Sequence, residues 1–292
     1  MSSLIRFKKP KNKRDAWFLL IFLLGFLIAS YPLISQYYYR IEANQQVTDF
    51  DKAISLLDKK DIEHRLSQAR AFNATLKPAE LTDPFSKEEK EDGVKAYANM
   101  LMVKEKIGYI EIPRINQKIP IYAGTSDEVL QKGAGLLEGT SLPVGGKSTH
   151  TVISAHRGLP TAELFRQLDK LKSGDIFYIH VLDEILAYQV KKSQTVEPSN
   201  FDPILIEEGK DLATLLTCTP YMINSHRLLV RGERVPYQAP IRERALAVQK
   251  VKRYYFFLLM ITVAVILLLI YWVKKEWQSV KRLRQKERRT HV

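Results

Sequence analysis

The chain has 292 residues, enough for one or two domains, and is 46% hydrophobic and 26% charged, which supplies a packed core and excludes disorder throughout. Its single cysteine excludes an internal disulfide and a multi-thiolate zinc site. The net charge is +13, but residues 1–15 hold +5 of it and residues 274–292 hold +6, leaving +2 for everything between. The middle of the chain therefore has no basic footprint for a nucleic acid, and none is expected as a partner.

Each basic tail abuts a long apolar run. Residues 16–34 carry no charge over 19 positions, and residues 254–273 carry none over 20. A helix of about 20 residues crosses the hydrocarbon core of a bilayer, so both runs read as transmembrane helices. The first exceeds the apolar stretch of a signal peptide, and no small-x-small cleavage site follows it. The second has no polar face, unlike a helix buried in a soluble core, and tyrosine and tryptophan bracket it.

The basic tails place both termini in the cytoplasm by the positive-inside rule. Arg242, Arg244, Lys250, Lys252 and Arg253, before the second run, oppose this assignment, so the first run must dominate the topology. Residues 35–253 then form one extracytoplasmic domain in contact with the lipid bilayer only at its ends. A lone cysteine exported to oxidising surroundings is either a working thiol or inert and buried.

Residues 47–72 have apolar positions at helical spacing, Phe50, Ile54 and Leu57, then Ile62, Leu66 and Ala69, which predicts one or two amphipathic helices. Asn73-Ala74-Thr75 fits the glycosylation pattern, a match frequent by chance. Residues 76–96 are charged and proline-containing and read as a loop. Within them Asp83-Pro84-Phe85 forms a turn, because proline fixes the backbone between the two flanking side chains.

From residue 107 the pattern changes to short β-branched and aromatic runs, at 107–112, 119–122, 149–154, 176–181, 185–190, 213–217 and 228–235. Helices are expected at 126–132 and 162–171. Many short strands with turn residues between them predict a closed, mainly β barrel with short helices, an α+β domain of about eight strands.

Cys218 ends the apolar run 212–217, where a nucleophile would be presented at the end of a strand. It needs a base, since a free thiol is only a few per cent ionised at neutral pH. His156 closes a predicted strand and precedes the Arg157-Gly158 turn, which makes it the best partner. His150 and His180 lie inside strands and read as structural, and His226, eight residues on, is the local competitor. A cationic donor would stabilise an oxyanion, and Arg227 and Arg231 share one face of the strand after Cys218, so both can point toward the thiol.

The segment Thr214-Leu215-Leu216-Thr217-Cys218-Thr219-Pro220-Tyr221 resembles the nucleophile signature of sortases. The stretches 224–232, 107–113 and 151–158 extend the resemblance, which runs from about residue 83 to 233. The Asp83-Pro84-Phe85 tripeptide is similar to the active-site lid of the class C, pilus-assembling sortases, and the second apolar run fits the same class. The resemblance implies a sortase-type β-barrel over 97–240, with the helical segment and lid at 35–96 and a juxtamembrane segment at 241–253. It also implies a cysteine transpeptidase that takes no cofactor or metal. Cys218 would attack the Thr–Gly bond of an LPXTG-type sorting signal in a pilin precursor, His156 would exchange protons, and Arg227 would bind substrate and stabilise the oxyanion. A pilin lysine would then accept the acyl group. In the free enzyme Asp83 would pair with the active-site arginine and Phe85 would cover Cys218. A sortase that anchors surface proteins to the cell wall, and a non-catalytic membrane scaffold with Cys218 merely buried, are the alternatives. The lid separates the first alternative, and thiol reactivity the second.

Overall fold

The computed structural model describes residues 13–76 and 99–240, and between 253 and 271 residues 253, 254, 256, 257, 260–265, 267, 268 and 271. Two compact units emerge, one of Pro32–Ala247 and the other of Met1–Tyr31 with Val248–Val292. The first lies within a few residues of the expected domain 35–253. In the second, the described residues are helical, with apolar side chains such as Ile21, Phe22, Leu24, Ile28, Phe256, Ile261 and Leu268 exposed. Among the described residues no helix is long and apolar enough to cross a membrane.

The larger unit is built on eight strands: β1 (Gly108–Ile112), β2 (Gln117–Ala123), β3 (Ala134–Leu136), β4 (Thr149–Ser154), β5 (Ile176–Val181), β6 (Glu184–Val196), β7 (Asp211–Thr219) and β8 (His226–Val235). They close into a barrel in the order β1-β2-β3-β4-β7-β8-β6-β5. Two of its pairings, β2 with β3 and β4 with β7, are parallel, and the rest are antiparallel. Closure removes the exposed edges that open sheets must protect.

Helix α1 (Lys13–Ser55) and helix α2 (Lys59–Thr75) precede the barrel, and the short helix α3 (Asp127–Lys132) follows β2. Asp58 caps α2 and Ser126 caps α3, each side chain accepting from a backbone N–H of the first turn. Val47, Phe50 and Ile54 of α1 and Ile62, Leu66 and Ala69 of α2 join Ile110, Ile112, Ile121, Phe177, Ile179, Leu215, Leu228 and Val230 of the strands in one core. Phe50 meets Tyr109 edge-on at 6.2 Å between ring centroids, a favoured aromatic geometry. Asn73 docks α2: its amide donates to the Leu142 carbonyl at 3.0 Å and accepts from the Leu142 N–H at 2.8 Å. With Asn73 only 5% exposed and both ends of its amide engaged, the sequon at 73–75 is not available for glycosylation.

The expected strands are present, several of them longer than their apolar runs. Strand β3 was not anticipated, because three residues (Ala-Gly-Leu) carry no periodicity. The helix expected at 162–171 is not formed; only Leu168–Lys170 make a single 3-10 turn. Its apolar residues Ala162, Leu164 and Phe165 are instead anchored individually in the core, which pins the segment as a loop. The Asp83-Pro84-Phe85 lid lies outside the described residues.

Candidate active site

Strand β7 runs two residues past its apolar stretch, so Cys218 lies within a paired strand rather than at its end, as the sequence suggested. Alternation explains its direction. Leu215 on β7, with Leu228 and Val230 on β8, points into the main core, whereas Leu216 and Leu229 belong to a small separate cluster with Val152 and Ile204 on the other face of the sheet. Cys218 follows Leu216 by two residues and therefore shares that outer face. It is 6% exposed.

Across the antiparallel ladder the partner of Cys218 is Arg227. Directly opposed residues have their Cβ atoms about 5 Å apart on the same face, so the guanidinium and the thiol project side by side. The Arg227 side chain is held by its own turn: Nη1 donates to the carbonyls of Asn224 and His226, both at 3.0 Å. Arg231 shares this face but is opposed to Thr214, four residues before Cys218 on β7, and its guanidinium is ion-paired with Glu207. Of the two candidate arginines, the fold thus assigns Arg227 to the thiol and Arg231 to the loop before β7.

His156 arrives by a different route. Strand β4 runs parallel to β7 with Ser154 opposite Leu216. Two further hydrogen bonds prolong the alignment, from the Ala155 N–H to the Leu216 carbonyl (3.1 Å) and from the Thr217 hydroxyl to the Ala155 carbonyl (2.7 Å). The pairing ends at Ser154 and Leu216, so His156 and Cys218 each lie two residues beyond its last rung. Burial, opposed by the nearby Asp127 carboxylate of α3, lowers the pKa of His156 from its ordinary value and so favours the neutral imidazole.

The next residue ties the two segments together. The Arg157 guanidinium donates to the Thr219 hydroxyl and pairs with Asp169 at 3.3 Å, linking the turn after His156 to the residue after Cys218. Gly158 has φ +110°, and a Cβ there would stand 2.7 Å from Arg166 Nε, so only glycine lets the chain turn at this point. Asp127 carries no sequence signal, and Thr219 lies within the signature around Cys218 without a role assigned to it; their contacts appear only once helix and strand are placed.

His150, His180 and His226 are engaged elsewhere. His150 Nδ1 lies 2.8 Å from the Leu205 carbonyl and Nε2 lies 2.8 Å from the Thr214 hydroxyl. Since a carbonyl only accepts, Nδ1 carries the proton and Nε2 accepts from Thr214. Burial, chiefly, lowers the His150 pKa to about 4. His180 stacks on Tyr109 at 4.1 Å and faces Glu111 at 3.4 Å. His226, the competitor, pairs with Glu197 at 3.0 Å and contacts the Ser225 hydroxyl at 2.8 Å.

A family profile described as the sortase domain matches residues 110–235. Among curated proteins, sortase A of Bacillus anthracis is 29% identical over 136 residues, 47% of this chain and 63% of that protein, and sortase D of Bacillus subtilis is 28% identical over 131 residues. The chain thus spans somewhat less than two thirds of the curated relatives it matches. Solved structures are more similar. The crystal structure of Streptococcus pneumoniae sortase C, reported with insights into catalysis and pilin substrate specificity, is 65% identical with a TM-score of 0.63, covering 67% of this chain and 99% of that one. The pilus-related sortase C of Group B Streptococcus is 54% identical with a TM-score of 0.63, covering 65% of this chain and 97% of that one. A chain this similar over nearly the whole of a solved sortase C belongs to the sortase family, and within it to the class C group.

Proposed function

We propose that the protein is a membrane-anchored cysteine transpeptidase that polymerises pilins. The observation that carries this reading is the opposition of Cys218 and Arg227 on one rung of the ladder, with His156 and Cys218 each two residues beyond the last rung of the parallel β4–β7 pairing. The pilin substrate named for the pneumococcal sortase C supports it.

In this reading Cys218 Sγ attacks the threonine carbonyl of an LPXTG-type signal as its proton passes to the neutral His156. Arg227 stabilises the oxyanion, a contribution of about 3 kcal/mol in a water-poor site. The Thr–Gly C–N bond then breaks, and the imidazolium returns the proton to the leaving glycine amine. A lysine ε-amine of a second pilin attacks the resulting thioester, His156 takes its proton, and as the C–S bond breaks the imidazolium gives that proton to the departing sulfur, restoring the Cys218 thiol with an isopeptide bond made. No metal or cofactor enters any step. In the resting enzyme Asp83 pairs with Arg227 and Phe85 covers the thiol. Contacts worth about one kcal/mol each let such a lid open readily.

The apolar runs 16–34 and 254–273 anchor the protein, with both termini cytoplasmic and the barrel outside. Their uncharged length supports this, as do the bare apolar side chains along them, a surface that water disfavours. Tethering enzyme and membrane-held pilin precursors to one surface raises their effective concentration.

The test is an intact-mass measurement after incubation with an LPXTG-type peptide, on wild type and on a Phe85→Ala variant. An added acyl fragment that is lost in Cys218→Ala establishes the chemistry, and a larger adduct fraction in Phe85→Ala establishes the lid. No adduct in either protein, with the thiol still open to alkylation, overturns the assigned signal.

A further inference from the structure

The loop that follows His156 is held from outside the barrel. Glu163 Oε2 accepts from Arg40 Nη2 of α1 at 2.6 Å and from Gln117 Nε2 of β2 at 2.8 Å. Both charged side chains are largely covered, at 21% and 23% exposure. Glu163 stands between the fully buried Ala162 and Leu164, and two residues further on the Phe165 N–H donates to the carbonyl of His156 itself at 3.1 Å. One helical turn of α1 makes a second contact nearby, where the Tyr39 hydroxyl donates to the Lys132 carbonyl at the end of α3 (3.0 Å), the helix that carries Asp127.

We propose that Glu163 is a positioning residue for His156, and that Arg40 makes the geometry of the active site depend on helix α1. The inference rests on the reading of Cys218 and His156 given above. The argument is one of stiffness. A rigid helix and a barrel strand meet on a single carboxylate oxygen, and the next backbone hydrogen bond along the loop ends on the catalytic histidine. A shift of Glu163 is therefore passed to the imidazole, whereas the strands bearing Cys218 and Arg227 are fixed independently by their own ladder. Charge-assisted bonds of this kind supply both strength and direction.

The test uses the full chain in detergent micelles and four variants: Arg40→Glu, Glu163→Arg, the double exchange, and Glu163→Gln as the mildest change. Alkylation of Cys218 by iodoacetamide is followed from pH 5 to 9, with thermal unfolding and peptide acylation measured in parallel. Both single reversals are expected to shift the midpoint of the alkylation profile by about half a pH unit or more. They are also expected to lower the acylation kcat about tenfold with KM little changed. The double exchange is expected to restore most of both, and Glu163→Gln to fall between. Single-variant profiles that superimpose on wild type overturn the proposal. So does a loss that follows the unfolding temperature and is not recovered in the double exchange. If the alkylation pattern appears as expected but wild type forms no acyl adduct, the positioning role stands and the transpeptidase reading falls.

Discussion

Cys218 and Arg227 occupy the last rung but one of the β7–β8 ladder, and their neighbours Thr219 and His226 close it. Two arginines on one face of β8 are thereby separated by partner. Arg227→Ala is expected to lower the acylation rate by about two orders of magnitude or more, with the unfolding midpoint nearly unchanged. Arg231→Ala removes a partly exposed pair with Glu207 and is expected to cost about 1 kcal/mol or less, with acylation retained. Rate and urea-unfolding measurements on the two variants check this assignment, which fails if Arg231→Ala is the inactive one.

The burial of His156 has a kinetic consequence. Burial holds its pKa below the ordinary histidine value, so the proton-accepting form persists to lower pH than for an exposed histidine. The acidic limb of the acylation pH profile is expected below pH 6.5, and His156→Ala is expected to abolish that limb along with most of the rate. A midpoint at or above 6.5 in wild type counts against the buried imidazole as the titrating group.

His150 makes a different prediction, on stability. Its folded pKa is lowered to about 4, so the unfolded chain takes up a proton at higher pH than the folded one does. The stabilisation is fully present above pH 6.5, is lost progressively as the pH falls, and is gone by about pH 4, with a total of about 3 kcal/mol. Urea midpoints measured between pH 7 and 4 are expected to fall in wild type, and to fall less in His150→Gln, which has no proton to gain.

The Asn73–Leu142 pair is a fourth check. Asn73→Ala leaves the buried Leu142 N–H without an acceptor, while its carbonyl keeps the Thr151 hydroxyl at 3.3 Å. A loss of about 1–3 kcal/mol is expected, with α2 loosened from the barrel. Faster hydrogen exchange over residues 62–75 in the variant is the signature to look for, and unchanged exchange there contradicts the docking role.

Asp83→Ala and Phe85→Ala test the lid. Each is expected to leave the unfolding midpoint of the barrel in place and to speed labelling of Cys218 by a small alkylating reagent several-fold. Equal labelling rates in wild type and both variants remove the lid from the mechanism.

Much of this was legible along the chain. Many short β-branched and aromatic runs with turn residues between them announced the barrel, and the helix expected at 126–132 is α3. The order of motifs around Cys218 and His156 announced the family. These signals are local, since each depends on residues a few positions apart. The three residues of β3 were not legible, because their pairing with β2 and β4 owes nothing to their own periodicity. The loop at 162–171 was misread as a helix because its apolar residues are spaced like one yet are buried singly. Residue spacing left Arg227 and Arg231 equal, and the resemblance alone favoured Arg227; which rung of β7 each arginine meets was decided only by tertiary structure, as was the grip of Arg40 and Gln117 on Glu163. These long-range contacts join positions 46 and 123 residues apart, and no pattern within either segment specifies which partner it will meet.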